Sequence, residues 1–381
     1  MMFRTNNIID PPIIDFKKKL IGLCDRQKVI DLVQAVPSYP MPGKIKEELT
    51  NNFRDEFSFY SPGQGLDELK QAVCALHNVN GVKINTSQII ITAGANQGAF
   101  SVFTALFKAG DKVALPVPYY FNYDMGLKML GIEPVYYYLD ETNGFKFEFD
   151  SFDKSILDKC KGIVVVNPNN PTGAEYDIKE LKLLYSECVK KGVTLISDEA
   201  YGFFSQIGYP NISMLNNVNS LNNLVIVNTF SKTFSLTGFR VGYTIATETV
   251  IKEIAKVHDT VIVCAPRMAQ IAALTGLNDC SEWLNEKVKF IQDNIEEFKK
   301  LFAVAPTKYK LACCGNFFAY LKHPYEDKTA EEVSFLLAEK ANIMTLPGPI
   351  FGPKQERFIR LAFGNLQGKA QILQLVERLK G

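Results

Sequence analysis

This chain of 381 residues contains few histidines, and neither positive nor negative charge dominates its composition. Its three histidines are scattered and form no metal-ligand pair, so no metal site is predicted. The formal net charge is +1, which gives neither a basic nucleic-acid-binding surface nor an acidic tail. No run of 18 apolar residues is present, so no membrane span is expected. We therefore expect neither a nucleic acid nor a membrane as a partner.

The eight cysteines lack C-x-x-C spacing and do not indicate a disulfide framework. Cys313 and Cys314 are adjacent, and a bridge between neighbours would be strained. Residues 1–7 lack the apolar segment of a signal peptide. These features predict a reducing compartment, with the cytoplasm as the default location.

Short β-rich apolar runs alternate with helical patterns between about residues 50 and 275. Near-continuous apolar strands are what a sheet covered on both faces requires. The predicted strands are Ile89–Ile91, Val113–Leu115, Val135–Tyr138, Ile163–Val166, Thr194–Ile196 and Val225–Val227. We therefore predict an α/β fold with a mainly parallel sheet flanked by helices. Its ligands would bind beyond the C-terminal ends of the strands.

The pattern changes near residue 280, where a long helical stretch from Trp283 to Phe302 precedes short strands and further helices. This change predicts a smaller α+β domain. The segment before residue 45 contains several prolines and cannot be one long helix. We expect an N-terminal arm over 1–45 that belongs to the small domain, a large domain over 46–278 and a small C-terminal domain over 279–381.

Three polar motifs follow predicted strands directly. The first, TAGANQGA at 92–99, opens a helix whose free backbone N–H groups would face an anion. The second, NPNNPTG at 167–173, is a rigid loop that can hold an asparagine amide over a ligand. The third, SDEAY at 197–201, sets a carboxylate where it can pair with a pyridinium nitrogen. Taken singly, each is also compatible with an ordinary turn or helix cap.

Lys232 lies in a fourth motif, TFSKTFSLTGFRVG at 229–242. Its amine can form an imine with the aldehyde of pyridoxal phosphate (PLP), while nearby hydroxyls and Arg240 can hold a phosphate dianion. Most lysines are solvated surface charges, so Lys232 alone would not indicate a cofactor site. The other three motifs are what distinguish it from an ordinary surface lysine. Together, the four motifs supply the groups that a covalent PLP site needs.

In order and spacing, these motifs resemble those of the class I/II aminotransferases, the aspartate-aminotransferase-like PLP enzymes of fold type I. The resemblance runs from about Val29 to Arg378. It implies pyridoxal 5'-phosphate as cofactor, with amino-acid and 2-oxo-acid substrates. It also implies ping-pong transfer of the amino group through a Lys232 Schiff base. A lyase, cyclase or oxidase acting on an amino acid with the same fold remains open.

The resemblance also implies roles for individual residues around the ring. Lys232 would form the Schiff base and then carry the proton, and Asp198 would pair with the pyridine nitrogen. Tyr201 and Asn170 would bond the ring hydroxyl. Tyr120 would stack on the ring, although a core tyrosine gives the same pattern.

The phosphate would be bound by groups from both subunits of a dimer. The groups from this chain would be Ala95, Asn96, Thr229, Ser231 and Arg240. Tyr60 resembles the tyrosine that reaches the phosphate of the partner subunit, so the expected active unit is a homodimer.

Arg360 resembles the arginine that clamps the substrate α-carboxylate bidentately, with Asn170 beside it. Arg357 is its nearest rival, but strand alternation puts that side chain on the opposite face. Ala35 stands where the family usually carries a substrate-facing glycine, which leaves the substrate preference open. An acidic substrate would need a further cation, for which Arg267 and Lys44 are both candidates.

Overall fold

The structure, a computed structural model, describes residues 5–6 and 8–380. Most of residues 1–7, on which the expectation of no signal peptide rests, lie outside the described residues. No helix in the described part of the chain is long and apolar enough to cross a membrane.

The helices are distributed along the whole described chain and flank three sheets. They are α1 (Pro12–Ile21), α2 (Gly43–Asn51), α3 (Asp67–His77), α4 (Gly94–Leu106), α5 (Phe121–Met129), α6 (Ser155–Lys159), α7 (Ile178–Lys191), α8 (Phe230–Thr233), α9 (Glu248–Ile262), α10 (Arg267–Asp279), α11 (Ser281–Val304), α12 (Ala330–Ala341) and α13 (Lys369–Arg378). Local signals set many of their ends. For example, the Asp177 side chain caps the start of α7, and Gly192 in the left-handed conformation ends it.

The strands confirm the predicted fold class, and each of the six predicted strands is present. They are β1 (Ile30–Asp31), β2 (Ile89–Thr92), β3 (Lys112–Val117), β4 (Glu133–Tyr138), β5 (Gly162–Val166), β6 (Thr194–Asp198), β7 (Leu224–Thr229), β8 (Gly242–Ile245), β9 (Lys310–Gly315), β10 (Phe318–Lys322), β11 (Ile343–Met344), β12 (Leu346–Pro347) and β13 (Phe358–Ala362). The large sheet has seven strands in the order β2-β8-β7-β6-β5-β3-β4. Every residue of β5 and β7 is buried, as expected for strands covered on both faces.

The strand β8 was not predicted from the sequence. It is the only antiparallel member of the large sheet and pairs with both β2 and β7. Its first residue, Gly242, lies so close to β7 that an added Cβ would be 2.4 Å from the carbonyl oxygen of Asn228. Glycine is therefore required for this pairing, and a four-residue strand that starts with glycine gives a weak sequence signal.

A second, four-stranded sheet has the order β12-β13-β10-β9 and is antiparallel throughout. The N-terminal segment joins this part of the chain, because β1 pairs with β11 in parallel. The chain leaving β1 then passes beside β13, where Ala362 N donates to Leu32 O. This path brings Val33 and Ala35 to the region between the two larger sheets.

Candidate active site

A cavity of about 530 Å³ lies at the C-terminal ends of the central parallel strands. Its wall contains ten of the residues predicted for the site. They are Ala95, Asn96, Tyr120, Asn170, Asp198, Tyr201, Thr229, Ser231, Lys232 and Arg240. Residues from four separate motifs therefore surround one space, because parallel strands end at the same edge of the sheet.

Lys232 lies in α8, the single turn that follows β7. The Thr229 side chain caps this turn by accepting a hydrogen bond from Ser231 N at 3.2 Å. The Lys232 Nζ donates to the carbonyl oxygen of Ala35 at 2.6 Å. Burial, reinforced by the positive charges of Arg240 and Arg360, lowers the pKa of the Lys232 amine to about 8. The unprotonated fraction of this amine near neutral pH is therefore far larger than that of an ordinary lysine.

Asp198 ends β6 and is only 4% exposed. Tyr123 donates to its Oδ2 at 2.5 Å, and Ala200 N donates to its Oδ1 at 2.9 Å. Burial raises the pKa of the Asp198 carboxyl, and these two hydrogen bonds oppose that rise. The result is a fixed, buried carboxyl in the cavity wall. Tyr123 was not singled out from the sequence, where no motif marks it.

One end of the cavity presents cationic and N–H donors. Helix α4 begins at Gly94, so its first backbone N–H groups have no partner within the helix. Beside them, the Arg240 guanidinium is held by the carbonyl oxygens of Thr237 at 2.8 Å and Ala93 at 3.3 Å. A Cβ on Gly94 would lie 2.6 Å from Arg240 Nη2, and Gly94 has a φ of +79°. Only glycine fits this approach without strain.

Arg360 lies behind the cavity in β13 and is 1% exposed. Its Nη1 donates to Asn170 Oδ1 at 3.1 Å, and its Nη2 donates to the carbonyl oxygen of Val33. The guanidinium also lies over the rings of Phe318 and Phe351, at 5.2 and 5.0 Å. Burial lowers the pKa of Arg360 to about 10. Arg357 instead donates to His323 O.

Three of the predicted site residues do not line the cavity. Arg360 contacts it through Asn170, and Ala35 contributes a carbonyl oxygen to Lys232. Tyr60 is 78% exposed and lies outside the cavity wall. The candidate cations for an acidic substrate are also elsewhere, since Arg267 pairs with Glu56 at 3.3 Å and Lys44 is exposed.

Tyr120 lines the cavity at the start of α5. Its hydroxyl accepts a hydrogen bond from Asn122 Nδ2 at 2.9 Å, and the Asn96 amide also bonds it. These contacts hold the ring in one place. The sequence left open whether this tyrosine belonged to the core or to the site, and the structure brings it to the cavity.

The sequence profile of the family described as aminotransferase class I and II matches residues 27–379. The chain belongs to this family. It is 30% identical over 369 residues to a probable aspartate/prephenate aminotransferase of Aquifex aeolicus, covering 93% of this chain and 92% of that protein. It is also 30% identical over 350 residues to an aspartate aminotransferase of Sulfolobus acidocaldarius, covering 88% and 86%.

Among solved structures, the aspartate aminotransferase of Thermus thermophilus with maleate superposes with a TM-score of 0.88. That match covers 100% of this chain and 98% of the other at 22% identity, so it supports the fold alone. As a member of the family, the chain is a PLP-dependent aminotransferase with amino-acid and 2-oxo-acid substrates.

The cavity of this aminotransferase fits PLP by the chemistry of its donors. The free N–H groups of α4, with Arg240 beside them, suit a phosphate dianion. The buried Asp198 suits a protonated ring nitrogen, and the Lys232 amine suits an aldehyde. These groups face one cavity, so a single molecule can meet them together.

Proposed function

We propose that this aminotransferase moves the amino group of an L-amino acid to a 2-oxo acid by a ping-pong mechanism in the cavity around Lys232. One observation carries the proposal. The Lys232 amine, with its pKa lowered to about 8, faces the same cavity as the Asp198 carboxyl and the Arg240 guanidinium. An amine of this kind can exchange protons near neutral pH, which amino-group transfer requires.

Lys232 is proposed to bind the cofactor and then to move the substrate α-proton on its Nζ. PLP, when bound, supplies an aldehyde that bonds amines and a protonated ring that accepts the electrons released at the α-carbon. The Ala35 carbonyl oxygen orients the Lys232 amine at 2.6 Å. Because this carbonyl oxygen only accepts a hydrogen bond, it holds the amine through an N–H and leaves the nitrogen lone pair free to take a proton.

Asp198 is proposed to keep the ring nitrogen protonated, since a carboxylate stabilises the cation beside it. The hydrogen bonds from Tyr123 and Ala200 N oppose the rise in pKa that burial causes and fix the carboxyl in orientation. Tyr201 and Asn170 are proposed to bind the ring hydroxyl, and Tyr120 to pack on the ring face. All three line the cavity, which supports these roles.

The phosphate is proposed to bind at the N-terminus of α4. Its ligands would be Arg240, the hydroxyls of Thr229 and Ser231, and the N–H groups of Ala95 and Asn96. Thr229 Oγ1 and Ser231 Oγ already lie 2.9 Å apart, so both can face one anion. This anchoring would fix one end of the cofactor while its other end reacts.

Arg360 is proposed to bind the substrate α-carboxylate, with Asn170 and Ala35 beside it. Two of its N–H groups are occupied by Asn170 Oδ1 and Val33 O. A carboxylate is a stronger acceptor than either and offers two oxygens to the planar guanidinium. The substrate would therefore replace these weaker internal contacts.

We also propose that the active unit is a homodimer, in which Tyr60 binds the phosphate of the partner subunit. The exposure of its aromatic ring on an isolated chain, 78%, supports this. The proposed division remains an arm over 1–45, a large PLP-binding domain over 46–278 and a small domain over 279–381. A cytoplasmic location is proposed because all eight cysteines are free.

The test begins with purified PLP-loaded protein and each common L-amino acid, followed by absorbance. We expect the cofactor band to shift with at least one amino acid, and a 2-oxo acid to form in equal amount. Lys232→Ala should lower turnover by at least about 10⁴-fold, as loss of a covalent catalytic group does. Lys70→Ala is the matched control, because Lys70 is also buried but pairs with Asp67 at 2.8 Å in α3.

The same assay separates the alternative reactions of this fold. A lyase would release ammonia in place of storing the amino group, and an oxidase would consume oxygen. If ammonia release equalled substrate loss, the enzyme would no longer be assigned as a transaminase. Full activity in Lys232→Ala would reject PLP catalysis at this site altogether.

A further inference from the structure

The cavity wall contains twelve residues besides the ten predicted for the site, and none of the twelve is charged. Nine of them are apolar, and six of these nine come from three separate segments: Pro12, Ile13, Ile14, Val36, Phe121 and Met125. We propose that the amino-acid substrate carries an uncharged, apolar side chain, which packs against these six residues. This inference rests on the proposed function and specifies the substrate class of the same cavity.

The first turn of α1 contributes the most exposed part of this apolar wall. Pro11 and Pro12 fix the start of the helix, and Ile13 and Ile14 follow directly in the cavity wall. Ile14 is 60% exposed, although it is a large apolar side chain. Covering such a side chain with an apolar ligand removes both surfaces from water, which is favourable. A charged ligand group in the same position would be desolvated without compensation.

The cations around the cavity already have partners of their own in the proposed reaction. Lys232 and Arg240 are the cations in the described wall, and they serve the cofactor aldehyde and phosphate. Arg360 serves the α-carboxylate. Arg267 is engaged with Glu56, and neither Arg267 nor Lys44 belongs to the described cavity wall. Within the wall that one subunit forms, a second substrate carboxylate would therefore meet positive charges that are already committed.

Two of the neutral amides in the wall, Asn96 and Asn122, are also engaged. Asn122 Nδ2 donates to the Tyr120 hydroxyl at 2.9 Å, and the Asn96 amide bonds the same hydroxyl. Binding a side-chain carboxylate there would break contacts that hold Tyr120 in place. The inferred preference differs from the substrate in the name of several relatives, the aspartate aminotransferases, because aspartate carries a second carboxylate.

The test uses isosteric pairs that differ in charge alone. Single-turnover rates of the PLP-loaded wild-type protein are measured with asparagine and aspartate, with glutamine and glutamate, and with leucine, methionine and phenylalanine. We expect kcat/KM to be highest for an apolar amino acid. Each amide should exceed its acid by at least about tenfold, because an unpaired buried charge is costly.

Faster reaction with aspartate or glutamate than with the matching amide would overturn the inference and leave the proposed function intact. Arg267→Ala would then show whether that arginine supplies the cation. If no amino acid shifts the cofactor band, the proposed function itself fails. The two failures are therefore distinguishable in one data set.

Ile14 gives a second test on an exposed residue whose replacement is tolerated by the fold. Ile14→Ala should lower kcat/KM for leucine or phenylalanine about three- to tenfold, since apolar contact is lost. The value of kcat/KM for alanine as the substrate should fall less, because its side chain is too short to reach residue 14. Ile14→Lys should raise the rate with glutamate relative to Ile14→Gln, its uncharged control. If Ile14→Ala lowered kcat/KM equally for the substrates leucine and alanine, that result would argue against contact between Ile14 and the substrate side chain.

Discussion

Tyr123 donates a hydrogen bond to Asp198 across 2.5 Å, and both side chains are buried. Burial alone disfavours the charged form of a carboxyl group. Asp198 can pair with a cation on the ring only as a carboxylate, so the hydroxyl of Tyr123 opposes the effect of burial. Tyr123 therefore acts as a positioning residue for Asp198 and has no need to touch the substrate.

Replacing Tyr123 with phenylalanine should slow the half-reaction about 10- to 100-fold, because a hydrogen bond to a charged group is worth about 1.5–3 kcal/mol. The same change should move the pH at which the cofactor absorbance titrates, which a purely structural role would leave in place. Stopped-flow absorbance measures both. Tyr137→Phe is the control, since its buried hydroxyl donates to Val164 O at 2.8 Å. Equal effects of the two variants would contradict this role.

Lys232 should capture an aldehyde with a pH profile set by its neutral amine. The rate at which the cofactor-free protein captures pyridoxal, which lacks the phosphate, should rise with pH around a midpoint near 8. Arg240→Gln removes one of the charges that lower this pKa, so the midpoint should move upward. Pyridoxal is used because Arg240 would otherwise also bind a phosphate.

Arg267→Gln is the control for this experiment, because Arg267 is not among the charges that lower the pKa of Lys232. A wild-type midpoint near 10.5, the ordinary value for lysine, would show that the amine is not perturbed. An unchanged midpoint in Arg240→Gln would show that burial and Arg360 cause the shift without a contribution from Arg240.

Most of the site residues that the sequence predicts belong to short motifs at strand ends. Lys232 and Asn170 each follow a strand within a few residues, and Asp198 ends one, so local pattern and sheet geometry suffice to bring them together. Tyr123 is different, because it lies 75 residues from Asp198 and no motif in its helix marks it. Tertiary packing alone brings these two side chains together.

The N-terminal segment was the least predictable part of the cavity. Its prolines indicate an interrupted arm, but nothing in residues 11–14 indicates a cavity wall. The carbonyl oxygen of Ala35 lies 197 residues before the Lys232 amine that it accepts from, and Val33 lies 327 residues before Arg360. Such contacts depend on the pairing of β1 with β11, which two-residue strands do not reveal in the sequence.

Gly94→Ala should weaken cofactor binding by more than its backbone strain explains. The added Cβ would lie 2.6 Å from Arg240 Nη2, so the guanidinium must move away from its place at the α4 N-terminus. We expect at least about a tenfold rise in the PLP dissociation constant, the loss of one good charged contact. Fluorescence titration of the cofactor-free protein measures it.

Gly110→Ala is the matched control for that substitution. Gly110 also has a positive φ, +88°, but a Cβ there would meet nothing within 4 Å. Both variants should lose roughly 1 kcal/mol of folding stability from backbone strain. If both also weakened PLP binding equally, the clash with Arg240 would not be the cause.

Arg360→Lys should selectively impair recognition of the substrate carboxylate. Lysine keeps the positive charge but lacks the planar pair of donors, so kcat/KM for an amino acid should fall about 10- to 100-fold. The decarboxylated amine of the same substrate, which offers no carboxylate, should be affected far less. Arg357→Lys is the control, because its side chain donates to His323 O and does not belong to the described cavity wall. Equal losses with the amino acid and the amine would assign Arg360 to folding, through its contacts with Asn170 and Val33, and would remove it from substrate binding.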